Sequence, residues 1–194
     1  MCIRDRNGGS FESTVDLSGS NALPNYLYVG NAVAFTGTNN ITFSGTVGHD
    51  APNAGRAISS NLTNGATLTL AGPVLLQSNT TALVARTLDI GGTGLTLISG
   101  PISNGVVQSN GLSKSGWGTL TLTGTNTFTG GFTLSNGNVI IGNKSALGSG
   151  TIALAGGTLQ ASSSMSGANA ITNATISLTG AASMFTGSSD ITLT

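Results

Sequence analysis

The chain has 194 residues, only 6% of them charged, and its six Lys and Arg balance six Asp and Glu. Six dispersed cations cannot neutralise a row of phosphates, so the composition excludes a nucleic-acid-binding groove. No apolar run reaches about 18 residues, so no membrane-spanning helix is predicted. The single cysteine, Cys2, excludes both a disulfide scaffold and a cysteine-based zinc site.

At the start of the chain, residues 1–10 are predicted to be a non-native or disordered tail. Met1–Arg6 holds three of the twelve charges and the only cysteine, and it resembles a translated adapter sequence. Residues 11–194 are predicted to form one continuous segment, and the chain is expected to be a fragment of a longer protein.

A short unit, apolar–x–apolar closed by glycine, recurs along residues 11–194. Its six copies begin at Ile41, Leu68, Leu95, Leu120, Ile152 and Ile176. Period-two alternation with Thr, Ser or Ala between the apolar residues predicts a half-buried strand. The glycine after each pair predicts a sharp bend, since glycine adopts positive φ at low steric cost.

One unit of about 25 residues is too small to bury its own apolar face, so successive units are predicted to stack. Stacking at the strand spacing of about 4.8 Å pairs each strand with its counterpart in the next coil. The predicted fold is therefore all-β, a parallel β-helix of about seven coils. Its core includes Leu120, Leu122, Leu134, Val139, Ile141, Ile152, Leu154 and Leu159, whereas Thr119, Thr121 and Thr123 point outward.

Residues 112–163 carry the most ordered copy. Its pattern K-x-G-x-G-T-L-x-L-x-G-x-N-T-F-x-G runs from Lys114 to Gly130 and is followed by Ala146-Leu147-Gly148. This pattern resembles the autotransporter-associated β-strand repeat, also called the passenger-associated transport repeat. Asn138-Val139 departs from the Thr-Leu that is usual in the family.

The resemblance implies a right-handed parallel β-helix from the passenger of a type V secreted protein. It implies export through the outer membrane of a Gram-negative-type bacterium to the cell surface or the extracellular space. A C-terminal outer-membrane β-barrel of the full-length protein is the implied partner, and host-cell or carbohydrate surfaces are the expected ligands.

Few side chains suggest catalysis. The only histidine, His49, is followed by Asp50 and is interpreted as part of a solvated loop. The aspartates expected to matter for a polysaccharide lyase are dispersed, and two arginines could serve it as bases. These residues are Asp16, Asp50, Asp89, Asp190, Arg56 and Arg86. No catalytic, cofactor-binding or metal-binding residue is predicted, and no cofactor.

Four further residues have both a structural and a functional interpretation. Lys114, preceded by Ser113, is expected to hold a turn rather than to form a Ser–Lys dyad. Trp117 is expected to pack over its neighbouring loop, with carbohydrate stacking as the alternative. Tyr26 and Tyr28 share one strand face and are expected to be structural.

The predicted function is therefore non-enzymatic: a stalk or adhesin scaffold displayed on a cell surface or secreted. The alternative is a fragment of an extracellular β-helix carbohydrate-active enzyme, either a lyase or a glycosidase. An acidic cluster on one face of the folded chain would favour the enzyme, and a surface of Thr, Ser and Asn would favour the scaffold. Ice binding through the Thr-x-Thr run is disfavoured, because the repeat spacing is irregular.

Overall fold

The computed structural model describes residues 2–5, 9–49, 56–77, 84–106, 109–173, 175–180 and 184–193. All strand pairs in this part of the chain are parallel, and each strand pairs with one in the preceding or following coil. The chain is thus a β-solenoid of about seven coils, which confirms the predicted fold class. Within the described residues, the helical elements are the 3₁₀ turns Gly19–Asn21 and Gly167–Asn169, and no helix is long and apolar enough to cross a bilayer.

Three sheets form the sides of the solenoid. Sheet 1 contains β1 (Cys2–Asp5), β3 (Tyr26–Val29), β6 (Val47–His49), β9 (Val74–Leu75) and β12 (Ile102–Ser103). Sheet 2 contains β2 (Gly9–Glu12), β4 (Val33–Gly37), β7 (Arg56–Leu62), β10 (Thr87–Gly92), β13 (Gly111–Lys114), β15 (Phe132–Leu134), β17 (Ile152–Leu154) and β19 (Ile176–Leu178). Sheet 3 contains β5 (Ile41–Phe43), β8 (Thr67–Leu70), β11 (Leu95–Ile98), β14 (Thr119–Leu122), β16 (Asn138–Ile141), β18 (Thr158–Ala161) and β20 (Met184–Thr186).

The N-terminal boundary at residue 10 stays a prediction. Within residues 1–10, the backbone of Cys2–Asp5 pairs with Tyr26–Val29, and Gly9–Glu12 begins sheet 2.

The core is a set of inward columns, each built from equivalent positions in successive coils. The alternation of the strands determines these columns, because every second side chain faces the interior. All eight residues predicted to point inward are buried, and the three threonines predicted to point outward are not. In the first coils, the rings of Phe11, Phe35 and Phe43 also contact one another, with centroids 5.7–6.4 Å apart.

The third copy of the repeat lies one residue out of the predicted frame. Leu95 pairs with Thr67 and Thr96 pairs with Leu68, so Thr96 and Ile98 face the core. Leu95 faces outward and is 40% exposed. The prediction that Leu95 and Leu97 are core residues is therefore wrong. The glycine at the end of the strand sets the frame, and here that glycine comes one position later, at Gly100.

The fifth and sixth copies of the unit do not stack on the first four, because they belong to a different sheet. Ile152 and Ile176 belong to sheet 2, where Ile152 pairs with Phe132. The first four copies belong to sheet 3. The motif is the same because a strand that ends at a glycine corner occurs on more than one side of the solenoid.

Glycines line the corner at the end of sheet 3, where successive coils approach most closely. A Cβ on Gly100 would lie 1.9 Å from the carbonyl oxygen of Gly72, and one on Gly124 would lie 2.3 Å from that of Gly100. Any larger residue would collide with the backbone of the coil below. The recurring glycine is therefore a packing requirement between coils as well as a bend.

The coils become shorter where sheet 1 ends. Equivalent residues in sheet 3 are 27 positions apart at Ile41 and Leu68, but only 19 apart at Leu120 and Val139. The last strand of sheet 1 in the described chain is β12. Beyond it, loops take the place of the third side, and these loops contain Asn126, Phe128 and Ala146–Gly148 of the ordered repeat.

Replacing Leu122, a fully buried core residue, by Ala should lower the free energy of unfolding by about 2–5 kcal/mol. Leu95→Ala, in the neighbouring strand but on the outer face, is the matched control and should change it by only about 0.5 kcal/mol or less. Urea titration followed by circular dichroism measures both. Equal losses in the two variants would contradict the assigned frame.

Candidate functional site

His49 is a core residue, which corrects its interpretation as part of a solvated loop. It ends β6, is 1% exposed, and its Nδ1 lies 2.7 Å from the carbonyl oxygen of Leu76 in the next coil. The reason is strand alternation, since Val47 and His49 share the inward face of the same strand. A histidine held in this way is shielded from solvent, whereas a general base must reach a substrate. Asp50, which follows His49 in the sequence, lies outside the described residues.

The other described aspartates lie on separate coils. Asp16 is exposed near the start, and hydrogen bonds from Ser18 and from Asn40 lower the pKa of its carboxyl. Asp89 lies in β10, and Asp190 is exposed in the last coil. No group of three or more His, Cys, Asp or Glu in the described part of the chain is arranged to hold a metal ion.

The two arginines considered as bases lie at strands of sheet 2. Arg56 begins β7 and is half-buried, whereas Arg86 is buried just before β10. The backbone N–H of Arg86 donates to the Asn110 side chain at 2.8 Å. Arg86 is therefore integrated into the coil-to-coil packing.

Lys114 occupies an inward column of sheet 2, where its neighbours in adjacent coils are Ile90 and Leu134. It is 1% exposed. Its Nζ donates hydrogen bonds to the carbonyl oxygens of Ser115 and Gly116, the latter at 2.9 Å. The ammonium group thus holds the turn that follows β13, as the sequence interpretation expected.

Burial lowers the pKa of Lys114 to about 8, because desolvation disfavours the charged form. The negative charge of Asp89 acts in the opposite direction. Asp89 itself faces outward and accepts hydrogen bonds from the hydroxyls of Ser113 and Ser115, at 2.7 and 2.5 Å. Ser113 and Lys114 therefore point to opposite faces of the strand, and they form no Ser–Lys dyad.

Asn126 joins three coils through its side-chain amide. Its Oδ1 accepts from the backbone N–H of Ile102 at 2.8 Å, and its Nδ2 donates to the carbonyl oxygen of Ala146 at 2.6 Å. Ile102 belongs to β12, the edge of sheet 1, where a strand in the next coil would otherwise supply the acceptor. The asparagine of the repeat thus terminates sheet 1 with its hydrogen bonds satisfied.

Phe128 packs against Gly148, which belongs to the Ala-Leu-Gly segment of the repeat in the next coil. Its ring is fully buried, and a Cβ on Gly148 would lie 2.8 Å from two of its ring carbons. Gly148 also has a φ of +69°. The aromatic residue of one coil and the Ala-Leu-Gly of the next are therefore one packing unit, although 20 positions separate Phe128 and Gly148.

Two surface features remain after these structural roles are assigned. Trp117 is 79% exposed at the corner between β13 and β14, so the expectation that it packs over its own loop is wrong. A cavity of about 310 Å³, lined mainly by Asn, Ser and other polar residue types, lies among the loops that replace sheet 1. Its lining includes Asn143, Lys144 and Ser164, and the Lys144 Nζ is engaged with the carbonyl oxygen of Ala168 at 2.9 Å.

The two tyrosines of β3 lie on its outer face and are half-buried, as their spacing predicted. The cavity and the burial of Lys114 are the features that the sequence interpretation missed. The cavity left no sequence signal, because its walls come from three successive coils. The burial of Lys114 did leave one, since Leu112 and Lys114 share a face by alternation.

Comparison with known proteins agrees with the resemblance seen in the sequence. Residues 112–141 match the family model described as Passenger-associated-transport-repeat. Neither the curated proteins nor the solved structures contain a significant match to the chain. The matched segment begins at β13 and ends with β16, so it includes Lys114, Asn126 and Phe128.

Because the folded state of Lys114 has the lower pKa, the unfolded chain binds more protons between pH 8 and about 10.5. Stability should therefore rise with pH in this window, by about 2 kcal/mol between pH 7 and pH 9.5. Lys114→Met should abolish this increment, whereas Lys144→Met, at an exposed lysine, should retain it. Urea titrations at several pH values measure the difference, and an increment that persists in Lys114→Met would contradict the assignment.

Asn126→Ala should leave the Ile102 N–H and the Ala146 carbonyl without their buried partner. The expected loss of stability is about 2–4 kcal/mol, because two buried polar groups are affected. Asn136→Ala, at an exposed asparagine ten positions later, is the control and should have little effect. Thermal unfolding compares them, and similar melting temperatures would show that Asn126 does not join the coils.

Proposed function

Because this chain carries a passenger-associated transport repeat at residues 112–141, we propose that it is a non-enzymatic stalk or adhesin scaffold within an autotransporter passenger. The repeat and the solenoid fold support a passenger segment, and the repeat family implies a surface or secreted protein. The proposed full-length protein includes a C-terminal outer-membrane β-barrel that carries the passenger through type V secretion.

The observation that carries the proposal is that the polar side chains of the repeat are engaged with backbone groups of the solenoid. The Lys114 ammonium binds backbone carbonyls of its own turn, and the Asn126 amide binds backbone groups of the coils on either side. Leu120, Leu122 and Phe128 fill the core. This use of the repeat's polar groups supports a structural role for them rather than acid–base catalysis.

A rod of stacked coils suits presentation. Each coil advances the solenoid by about 4.8 Å, so length is gained by adding coils without changing the cross-section. Many copies on one cell would strengthen weak contacts along the rod, because the second and later contacts form at high effective concentration. Adhesion through repeated weak contacts needs no deep catalytic cleft.

The purified segment should not depolymerise any member of a panel of neutral and acidic polysaccharides, with or without Ca²⁺. Product is measured as new reducing ends and as the ultraviolet absorbance of unsaturated lyase products. Asp89→Asn and Asp190→Asn are the matched variants, and the wild type and both variants should give the same background. Turnover that is lost in either variant would overturn the scaffold proposal in favour of a lyase or glycosidase.

A further inference from the structure

The backbone on both sides of Trp117 is held by hydrogen bonds, and its ring is exposed. Its neighbours fix the backbone on both sides: Gly116 accepts from the buried Lys114 Nζ at 2.9 Å, and the Gly118 N–H donates to Gly92 of the preceding coil at 3.0 Å. Because this backbone is already ordered, a ligand that covers the ring has to restrict only its side-chain torsions. An exposed ring of this size is unusual for a purely structural residue.

Trp117 lies two residues before β14, so its backbone is close to the first outward residue of that strand. Thr119 follows it in β14 and lies between Leu95 of β11 and Asn138 of β16 in the pairing register. Leu95 is 40% exposed, and Thr119 and Asn138 are half-buried. We name these four residues the Trp117 face: Leu95, Trp117, Thr119 and Asn138. It combines two apolar side chains with a hydroxyl and an amide on neighbouring strands about 4.8 Å apart.

The absence of ionisable side chains from the described strands of sheet 3 limits the kind of ligand that this face can bind. The seven strands of sheet 3 contain no Asp, Glu, Lys, Arg or His. A nucleic acid or an acidic polymer needs cations to neutralise it, and this sheet offers none. A stable protein interface buries about 800 Å² on each partner around a cluster of apolar anchors. On the Trp117 face, the exposed apolar side chains are Trp117 and Leu95, which is too few for such a core.

We infer that the Trp117 face binds a neutral, β-linked oligosaccharide, with one sugar ring stacked on the Trp117 indole. A pyranose with equatorial hydroxyls has a flat face of C–H groups, which suits an aromatic ring, and a rim of hydroxyls. A β-1,4 linkage joins two equatorial positions of such rings, so the chain is extended and can lie along a flat sheet face, whereas the α-1,6 linkage of dextran makes a flexible chain. The rim is matched by the Thr119 hydroxyl, which both donates and accepts hydrogen bonds, and by the Asn138 Nδ2, which donates. The Asn138 Oδ1 already accepts from the Thr158 hydroxyl at 2.7 Å. This inference rests on the proposed scaffold function and names the class of ligand that the scaffold would bind.

The single tryptophan makes the test specific, because all indole fluorescence comes from Trp117. The probes are cellohexaose and chitohexaose, both neutral and β-linked, with dextran and polygalacturonate as the α-linked and the acidic controls. At least one β-linked probe should protect Trp117 from acrylamide quenching in a saturable way, and neither control should. Calorimetry with the same probe gives the affinity without a fluorescence reporter.

Trp117→Ala should weaken binding of the protective probe about tenfold or more in calorimetry, with an unchanged melting temperature because the side chain is exposed. Trp117→Phe should retain part of the affinity, and Phe185→Ala, at a partly exposed aromatic residue of β20, should retain all of it. Absence of protection by both β-linked probes, equal protection by polygalacturonate, or unchanged affinity in Trp117→Ala would each overturn the inference. Binding without product supports both proposals, whereas binding with turnover would overturn only the scaffold function.

Discussion

Parallel pairing between coils is the constraint on which the rest of this structure depends. Each strand of the described chain pairs with the equivalent strand of at least one adjacent coil. A strand residue is therefore stacked on the equivalent residue one coil away, at the strand spacing of about 4.8 Å. A side chain must suit its two stacked neighbours as well as its own position in the coil. Inside, this condition selects aliphatic columns, and at the tightest corners it selects glycine, since a Cβ on Gly100 would meet the backbone of Gly72.

The ordered repeat supplies hydrogen-bond partners for backbone groups that are left unpaired where a stacked sheet ends. A sheet that ends before the solenoid does leaves an unpaired edge, and buried backbone groups at such an edge need other partners. Sheet 1 ends at β12 within the described chain, and the side chain of Asn126 supplies the acceptor that Ile102 needs. Phe128 and Gly148 then fill the side that the sheet has vacated. The repeat thus marks the change from three-sided coils to shorter ones.

The small number of charged residues affects both the stability of the solenoid and the character of its surface. A lysine among aliphatic neighbours is tolerated at position 114 because its ammonium is satisfied by carbonyls of its own turn. That turn fixes the backbone beside Trp117, so a buried charge and an exposed ring are parts of one arrangement. The described strands of sheet 3 contain no charged residue, and Thr119 and Asn138 are neighbours in its pairing register.

The sequence by itself determined the fold class, the approximate number of coils and the core residues from Leu120 to Leu159. Strand alternation and the closing glycine are local signals, so a short segment carries them completely. It also contained the repeat at residues 112–141, whose order of residues is specific enough to be matched without a structure.

Only the tertiary structure decided which copies stack on which. A one-residue shift of register exchanges the inner and outer faces, so Leu95 is exposed although its local sequence resembles that of Leu120. Ile152 repeats the same motif in a different sheet, because strand pairing rather than motif sets the column. The partner of the buried His49 side chain, the Leu76 carbonyl oxygen, likewise lies in the next coil. Neighbours in adjacent coils are about 20–30 positions away in the sequence, and no local pattern contains them.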